Sequence, residues 1–209
     1  MTLTLTANMI LSMRWSFEPR TIEGARVQLE PLEQVSLQEL CLSLIPDPDG
    51  WYSVMFDLNS PDAYRKELQD AADYRRKRVG IGYAIRDLAS SEIAGISFFL
   101  KMDEENRTLE IGTTNIAPRF RRTHVNTATK FAMLEEAFER LGCIRVSFRV
   151  DEENTISRRA VERLGAIYGG TLRHERILPD GRVRDYCFYS IIDREWPMLK
   201  TRLRSLLDC

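Results

Sequence analysis

Apolar and polar positions along this chain repeat with two periods, and each period predicts a kind of element. From Ala25 to Leu29 (ARVQL), Val27 and Leu29 share a face, which predicts a strand ended by Glu30 and Pro31. Leu37, Leu40, Cys41 and Leu44 recur at helical spacing and predict a helix over 32–44. Ser60-Pro61 opens a second helix, with Ser as N-cap and Pro at the first helical position. Its apolar stripe is Tyr64, Leu68 and Ala71 or Ala72, and its basic end, Arg75 to Arg78, suits the helix dipole. Gly80–Arg86, Ile93–Leu100 and Thr108–Ile116 read as strands; the short turns between them make them antiparallel neighbours. A helix reaching Leu141 carries Phe131, Leu134, Phe138 and Leu141 inward, Glu135, Glu136, Glu139 and Arg140 outward, and stops at Gly142. Cys143–Val150 alternates, with Ile144, Val146, Phe148 and Val150 on one face. Asn154 caps a helix that buries Ile156, Ala160, Val161 and Leu164 and ends at Gly165. Ile167–Arg176 and Arg182–Ile192 flank Pro179-Asp180-Gly181 and predict a long hairpin. A last helix runs over 193–207, with Trp196, Leu199 and Leu203 inward.

This order predicts an α+β fold: a mixed, mostly antiparallel sheet of about seven strands with helices on both faces. The strands on either side of the 127–141 helix need a crossover, so that pair is expected to be parallel. No repeat or internal boundary divides residues 21–209, and residues 1–20 read as an N-terminal extension. The extension begins MTLTLTANMILSMRWSF, without a basic n-region and with an apolar run too short to span a bilayer, so a strand or packing arm is expected and no membrane partner.

Composition narrows the function. A net charge of −1 over 209 residues gives no general nucleic-acid footprint. Cys41, Cys143, Cys187 and Cys209 form no CxxC pair and read as reduced thiols of a cytoplasmic protein. With only His124 and His174 available, no metal site is expected. The densest basic cluster lies in Asn115–Phe131 (NIAPRFRRTHVNTATKF), where a strand, a basic turn and a helix follow one another. A helix N-terminus offers unpartnered N–H groups and a dipole that favours negative charge, so this stretch is a candidate phosphate seat.

Five segments in order resemble the GNAT superfamily of acetyl-CoA-dependent N-acetyltransferases, in its RimJ/RimL-like branch of ribosomal-protein N-terminal acetyltransferases. They are LEIGTTNIAP (109–118), RRTHVNTATK (121–130), DEENTISRRAVERLGA (151–166), GGTLRHERILPDGRVRDYCFYSII (169–192) and REWP (194–197), and the resemblance spans roughly residues 20 to 196. It implies a parallel strand pair splayed at the cofactor site. It also implies acetyl-CoA as co-substrate, no metal, and transfer to a protein N-terminus or a small-molecule amine in a ternary complex. Oligomeric state, a homodimer included, is not legible. The family's pyrophosphate loop has the pattern Q/R-x-x-G-x-G/A; Arg121 matches its first position, while His124 and Asn126 stand where glycines are usual. A catalytically inactive CoA-binding or interaction module therefore stays open as the rival reading.

The resemblance assigns the cofactor to Asn115, Ile116, Arg121, Arg122, Thr123, His124, Val125, Asn126, Thr127, Asn154, Ser157 and Arg159. Glu110, on the strand before the loop, is the candidate base for an amine that must lose a proton before it attacks. Ser157 or Tyr189 is the candidate acid for the departing thiolate, and Asn154 with Ser157 equally fits a simple helix cap. Asp185, which shares a face with Tyr189, and the aromatic loop bearing Trp51 and Phe56 are candidates for the acceptor side.

Overall fold

A computed structural model describes residues 15–18, 20–45, 60–178 and 180–208. Trp51 and Phe56 lie outside the described residues. The strands are β1 (Ile22–Glu23), β2 (Val27–Pro31), β3 (Ile81–Asp87), β4 (Ile93–Asp103), β5 (Thr108–Ile116), β6 (Arg145–Asp151), β7 (Ile167–Ile177) and β8 (Val183–Ile192). The helices are α1 (Leu37–Leu44), α2 (Pro61–Arg76), α3 (Val125–Glu135), α4 (Thr155–Leu164) and α5 (Trp196–Leu207).

Among the described residues these strands form one mixed sheet in the order β1-β2-β3-β4-β5-β6-β8-β7. β5 and β6 are parallel, as a crossover through α3 requires, and the other neighbours are antiparallel. The expected α+β class holds, with the two-residue β1 added at one edge.

Strand parity sorts the core into two layers. Ile81, Tyr83 and Ile85 of β3, Leu109 and Ile111 of β5, and Val146, Phe148 and Val150 of β6 pack with α3 and α5. Ala84, Ile96 and Phe98 face the other way and pack with Leu40 and Leu44 of α1 and Tyr64 and Ala71 of α2. The segment before β1 adds Trp15 and Phe17 to the first layer, and the Trp15 indole donates to the Leu141 carbonyl at 2.7 Å.

Several boundaries differ from the sequence pattern, each for a local reason. The 32–44 helix is split into a 3-10 turn at Leu32–Gln34 and α1, because the Ser36 side chain accepts from the Glu39 N–H at 3.1 Å and starts a new helix. α3 continues into a π-turn over Glu136–Arg140. That turn carries Glu136 inward, where it is buried and ion-paired with Arg20 and Arg140, rather than outward. Ile156 is 79% exposed and Ile144 38% exposed, so neither joins the apolar face its spacing suggested. Ile144 precedes β6, and Ile156 lies in the first turn of α4, ahead of the part that meets the core.

Candidate active site

β5 and β6 pair over three residues only, Thr108 with Arg145, Leu109 with Val146 and Glu110 with Ser147. β5 then runs on to Ile116 and β6 to Asp151 without pairing each other, so the sheet opens between them. The opening coincides with a bulge in β5: the register with β4 shifts between Ile96 and Phe98, and Thr113 is held at φ 49°. A bulge re-aims local backbone groups, and a β-branched residue at positive φ is strained.

A cavity of about 540 Å³ begins at this opening. Glu110 and Thr113 of β5 and Arg149 and Asp151 of β6 form its floor, with Asn154 and Ser157 at the start of α4. Lys66, Glu67, Asp70 and Tyr74 of α2 form one wall, and Arg176 and Tyr186 of the β7–β8 hairpin the opposite wall. The structure thus brings Glu110, Asn154 and Ser157 to one cleft. Glu110 is buried, not solvent-facing, and its carboxylate meets Lys101 Nζ at 3.0 Å and Arg149 Nε at 3.8 Å. The Asn154 side chain accepts from the Ser157 N–H at 3.0 Å, so the pair does cap α4.

The basic turn before α3 lies outside that lining. At the two positions where glycines are usual the backbone is ordinary: His124 has φ −64° and Asn126 lies in α3, so neither needs glycine's dihedral freedom. The left-handed residue is Arg122, at φ 60°. The Thr123 hydroxyl donates to the Phe120 carbonyl at 2.7 Å and accepts from the Val125 N–H at 3.3 Å. Arg121 Nε donates to the Ile116 carbonyl at 3.1 Å, and His124 Nε2 meets the Asp87 carboxylate at 2.8 Å. Burial pushes the Asp87 carboxyl up, but hydrogen bonds from Ser90 and His124 outweigh it and hold the group below its ordinary value. Val125 is buried, while Asn126 and Thr127 are half-buried in the first turn of α3, where N–H groups lack helical partners. The Asn115 side chain turns to α2, donating to the Tyr64 hydroxyl at 3.3 Å, and Ile116 packs on the core. Arg159 is exposed on α4.

A splayed parallel pair beside two helix N-termini is an arrangement that can hold an extended anionic thioester. Residues 26–167 match the family model of the acetyltransferase (GNAT) domain. The chain belongs to the GNAT acetyltransferase family. It is similar to a solved GCN5-related N-acetyltransferase from Brucella melitensis, at 28% identity and TM-score 0.80 over 90% of this chain and 85% of the other. A T. thermophilus protein, itself an acetyltransferase by assignment only, is 34% identical at TM-score 0.77 over 93% of this chain and 100% of the other. Mycobacterium smegmatis RimJ, solved with CoA-disulfide, shares the fold at 19% identity and TM-score 0.71, over 91% of this chain and 96% of the other. No curated protein matches the chain.

Within this GNAT domain the candidate acid Tyr189 and the acceptor-side candidate Asp185 also stand outside the cavity lining. Tyr189 faces the α3 layer, where its hydroxyl donates to Glu162 at 2.9 Å and accepts from Arg158 at 3.1 Å. Asp185 accepts from the His174 N–H at 2.7 Å within the hairpin. The tyrosine that lines the cleft is Tyr186, at the opposite parity on β8 from Tyr189 and therefore on the other face. Its hydroxyl is buried without a well-aligned hydrogen bond. Burial raises its pKa, and the neighbouring Arg176 lowers it. Glu67 was the other omission, and it had a signal: it falls on the stripe Tyr64–Glu67–Ala71–Tyr74, an acid at an inward helical position. Among the thiols, burial pushes Cys143 up to about 12, which leaves it a poor nucleophile. Among the described residues no group of His, Cys, Asp and Glu is placed to hold a metal ion, and no helix is long and apolar enough to cross a membrane.

Proposed function

We propose that this protein transfers the acetyl group of acetyl-CoA to a primary amine, a protein N-terminus or a small molecule, by direct attack in a ternary complex. The observation that carries the reading is the opening of β5 from β6 at the Thr113 bulge, directly over a cavity with polar side chains on every wall. Such a slot can take the thioester between the strands, and N–H groups freed by the bulge can polarise its carbonyl. The first turn of α3, with Arg121, Arg122 and Thr123 ahead of it, would hold the pyrophosphate through backbone N–H groups and positive charge. Ser157 and Asn154 would stand along the pantetheine arm, and Ser157 or Tyr186 would protonate the thiolate as it leaves. The missing glycines, which favoured an inactive module, lose force once residue 124 is helical. Holding both reactants in one cleft supplies much of the rate through proximity.

A screen of peptides and small amines, read as free CoA thiol, tests this. Amine-dependent thiol release is expected. No amine-dependent release from any amine of the set would refute the reading, and an unchanged melting temperature at millimolar acetyl-CoA would remove the cofactor with it.

A further inference from the structure

The α2 wall of the cleft carries a carboxylate that the proposed transfer has not yet used. Tyr64, Glu67, Ala71 and Tyr74 fall on one helical stripe, and Tyr64 and Ala71 are fully buried against the sheet. Glu67 is thereby turned inward, and it lines the same cavity as Glu110, Ser157 and Tyr186. The other acids of the cavity are engaged. Asp70 pairs with Lys66, Glu110 with Lys101 and Arg149, and Asp151 lies 3.6 Å from Arg184. Among the described residues Glu67 makes no hydrogen bond and no ion pair.

Burial pushes the Glu67 carboxyl up to about 7, the nearby Asp70 charge adds to the rise, and Lys66 opposes it. Around it the cavity presents Tyr74 from α2, Glu110 from β5, Arg149 and Asp151 from β6, Arg176 from β7 and Tyr186 from β8. A carboxylate with a pKa near neutrality remains ionised in a useful fraction yet is basic enough to take a proton from an amine. Glu110, by contrast, already engages two cations with its oxygens.

We propose that Glu67 binds the ammonium group of the acceptor and takes its proton, so that the acceptor class is a cationic primary amine. This rests on the acetyl-transfer reading above. One N–H bond of the ammonium breaks and the proton passes to Glu67. The freed lone pair forms the bond to the acetyl carbon, and the carbon–sulfur bond breaks with its electrons on the thiolate. A second proton from the nitrogen ends on that sulfur, with the Tyr186 hydroxyl in the cleft to relay it. The third stays on the amide, and Glu67 returns its proton to water.

The test is kcat/KM from about pH 5.5 to 9, with an amine found active in the screen, for the parent protein, Glu67→Gln, Glu67→Asp and Asp70→Asn. The parent is expected to lose activity as pH falls through about 7. Glu67→Gln should lower kcat roughly 100-fold and abolish that acid limb, while leaving the melting shift with acetyl-CoA in place. Glu67→Asp should keep a limb. Asp70→Asn should move it to lower pH, because a charge that raises Glu67 is gone. Parental kcat and an unchanged acid limb in Glu67→Gln would overturn the assignment. Should Glu67→Gln lose the acetyl-CoA melting shift, the Asp70→Asn limb decides: a limb that stays in place overturns it. If the parent acetylates no amine, the function reading itself fails, and this inference with it.

Discussion

Lys130→Met is expected to raise stability at pH 7 by on the order of 3 kcal/mol, and to flatten the pH dependence of stability on the alkaline side. Lys130 is only 5% exposed, in the middle of α3, and burial alone pushes its pKa down to about 7 from the ordinary 10.5. The sign follows from proton counting. Between about 7 and 10.5 the unfolded chain holds this proton and the folded chain largely does not. Folding therefore releases a proton, and stability rises with pH across that window. A tenfold loss of proton affinity on folding is worth about 1.4 kcal/mol, and partial relaxation around a buried amine reduces the total. Methionine has nearly the same length and no proton to lose. For a chain of this size the gain corresponds to roughly 6 to 12 °C in Tm. The lysine is not idle: its amine donates to the Thr114 hydroxyl, which lies 2.8 Å from the Ser97 hydroxyl, so it ties α3 to β5 next to the Thr113 bulge. A stabilised variant with weaker acetyl transfer is thus the expected pairing. Urea unfolding at about pH 7 and pH 10 checks it; a variant less stable than the parent at pH 7 would show that the amine is held by more than burial.

Gly95→Ala is expected to destabilise the protein by about 3 kcal/mol and to weaken acetyl-CoA binding. Gly95 sits on β4 opposite Ile116, at the far end of the bulged strand. A Cβ there would lie 2.3 Å from the Asn115 carbonyl oxygen and 3.2 Å from the Ile116 Cα, both backbone atoms. No rotamer change relieves such a contact, so β4 and β5 must move apart where β5 forms the mouth of the site. Gly112→Ala is the matched control, since its nearest contact would be the Glu110 carboxylate at 3.4 Å, and it should cost under about 1 kcal/mol. Equal losses for the two variants in chemical denaturation would mean that the close approach at Gly95 is not the controlling feature.

Much of the fold was legible because each apolar run carries one clear period. The three strands at 80–116, the crossover that makes β5 and β6 parallel, and the hairpin around residue 180 all follow from spacing and turn chemistry. Boundaries were lost where a side chain overrode the pattern, as when Ser36 restarted the helix at Leu37. The site was harder to read. Alternation groups Asp185 with Tyr189 but cannot say which face of β8 meets the cleft, and the answer, the Tyr186 face, is set by which layer α2 covers. Gly112 marks the neighbourhood of the bulge, but the positive φ falls on Thr113 beside it, a β-branched residue that gives no sign of it. Glu110 is a candidate base by its place on the strand before the loop, but its burial with Lys101 and Arg149 depends on neighbours that the local pattern does not reveal.

The most direct test of the central claim is an amide NMR titration of the isotope-labelled protein with acetyl-CoA. The opened β5–β6 pair and the two helix starts should respond together: Thr113 and Thr114 at the bulge, residues 122–127 before and in α3, and Ser157 in α4 are expected to shift along one saturable curve. Saturable shifts confined to other surfaces, or none at millimolar ligand, would contradict the assignment of this cleft as the acetyl-CoA site.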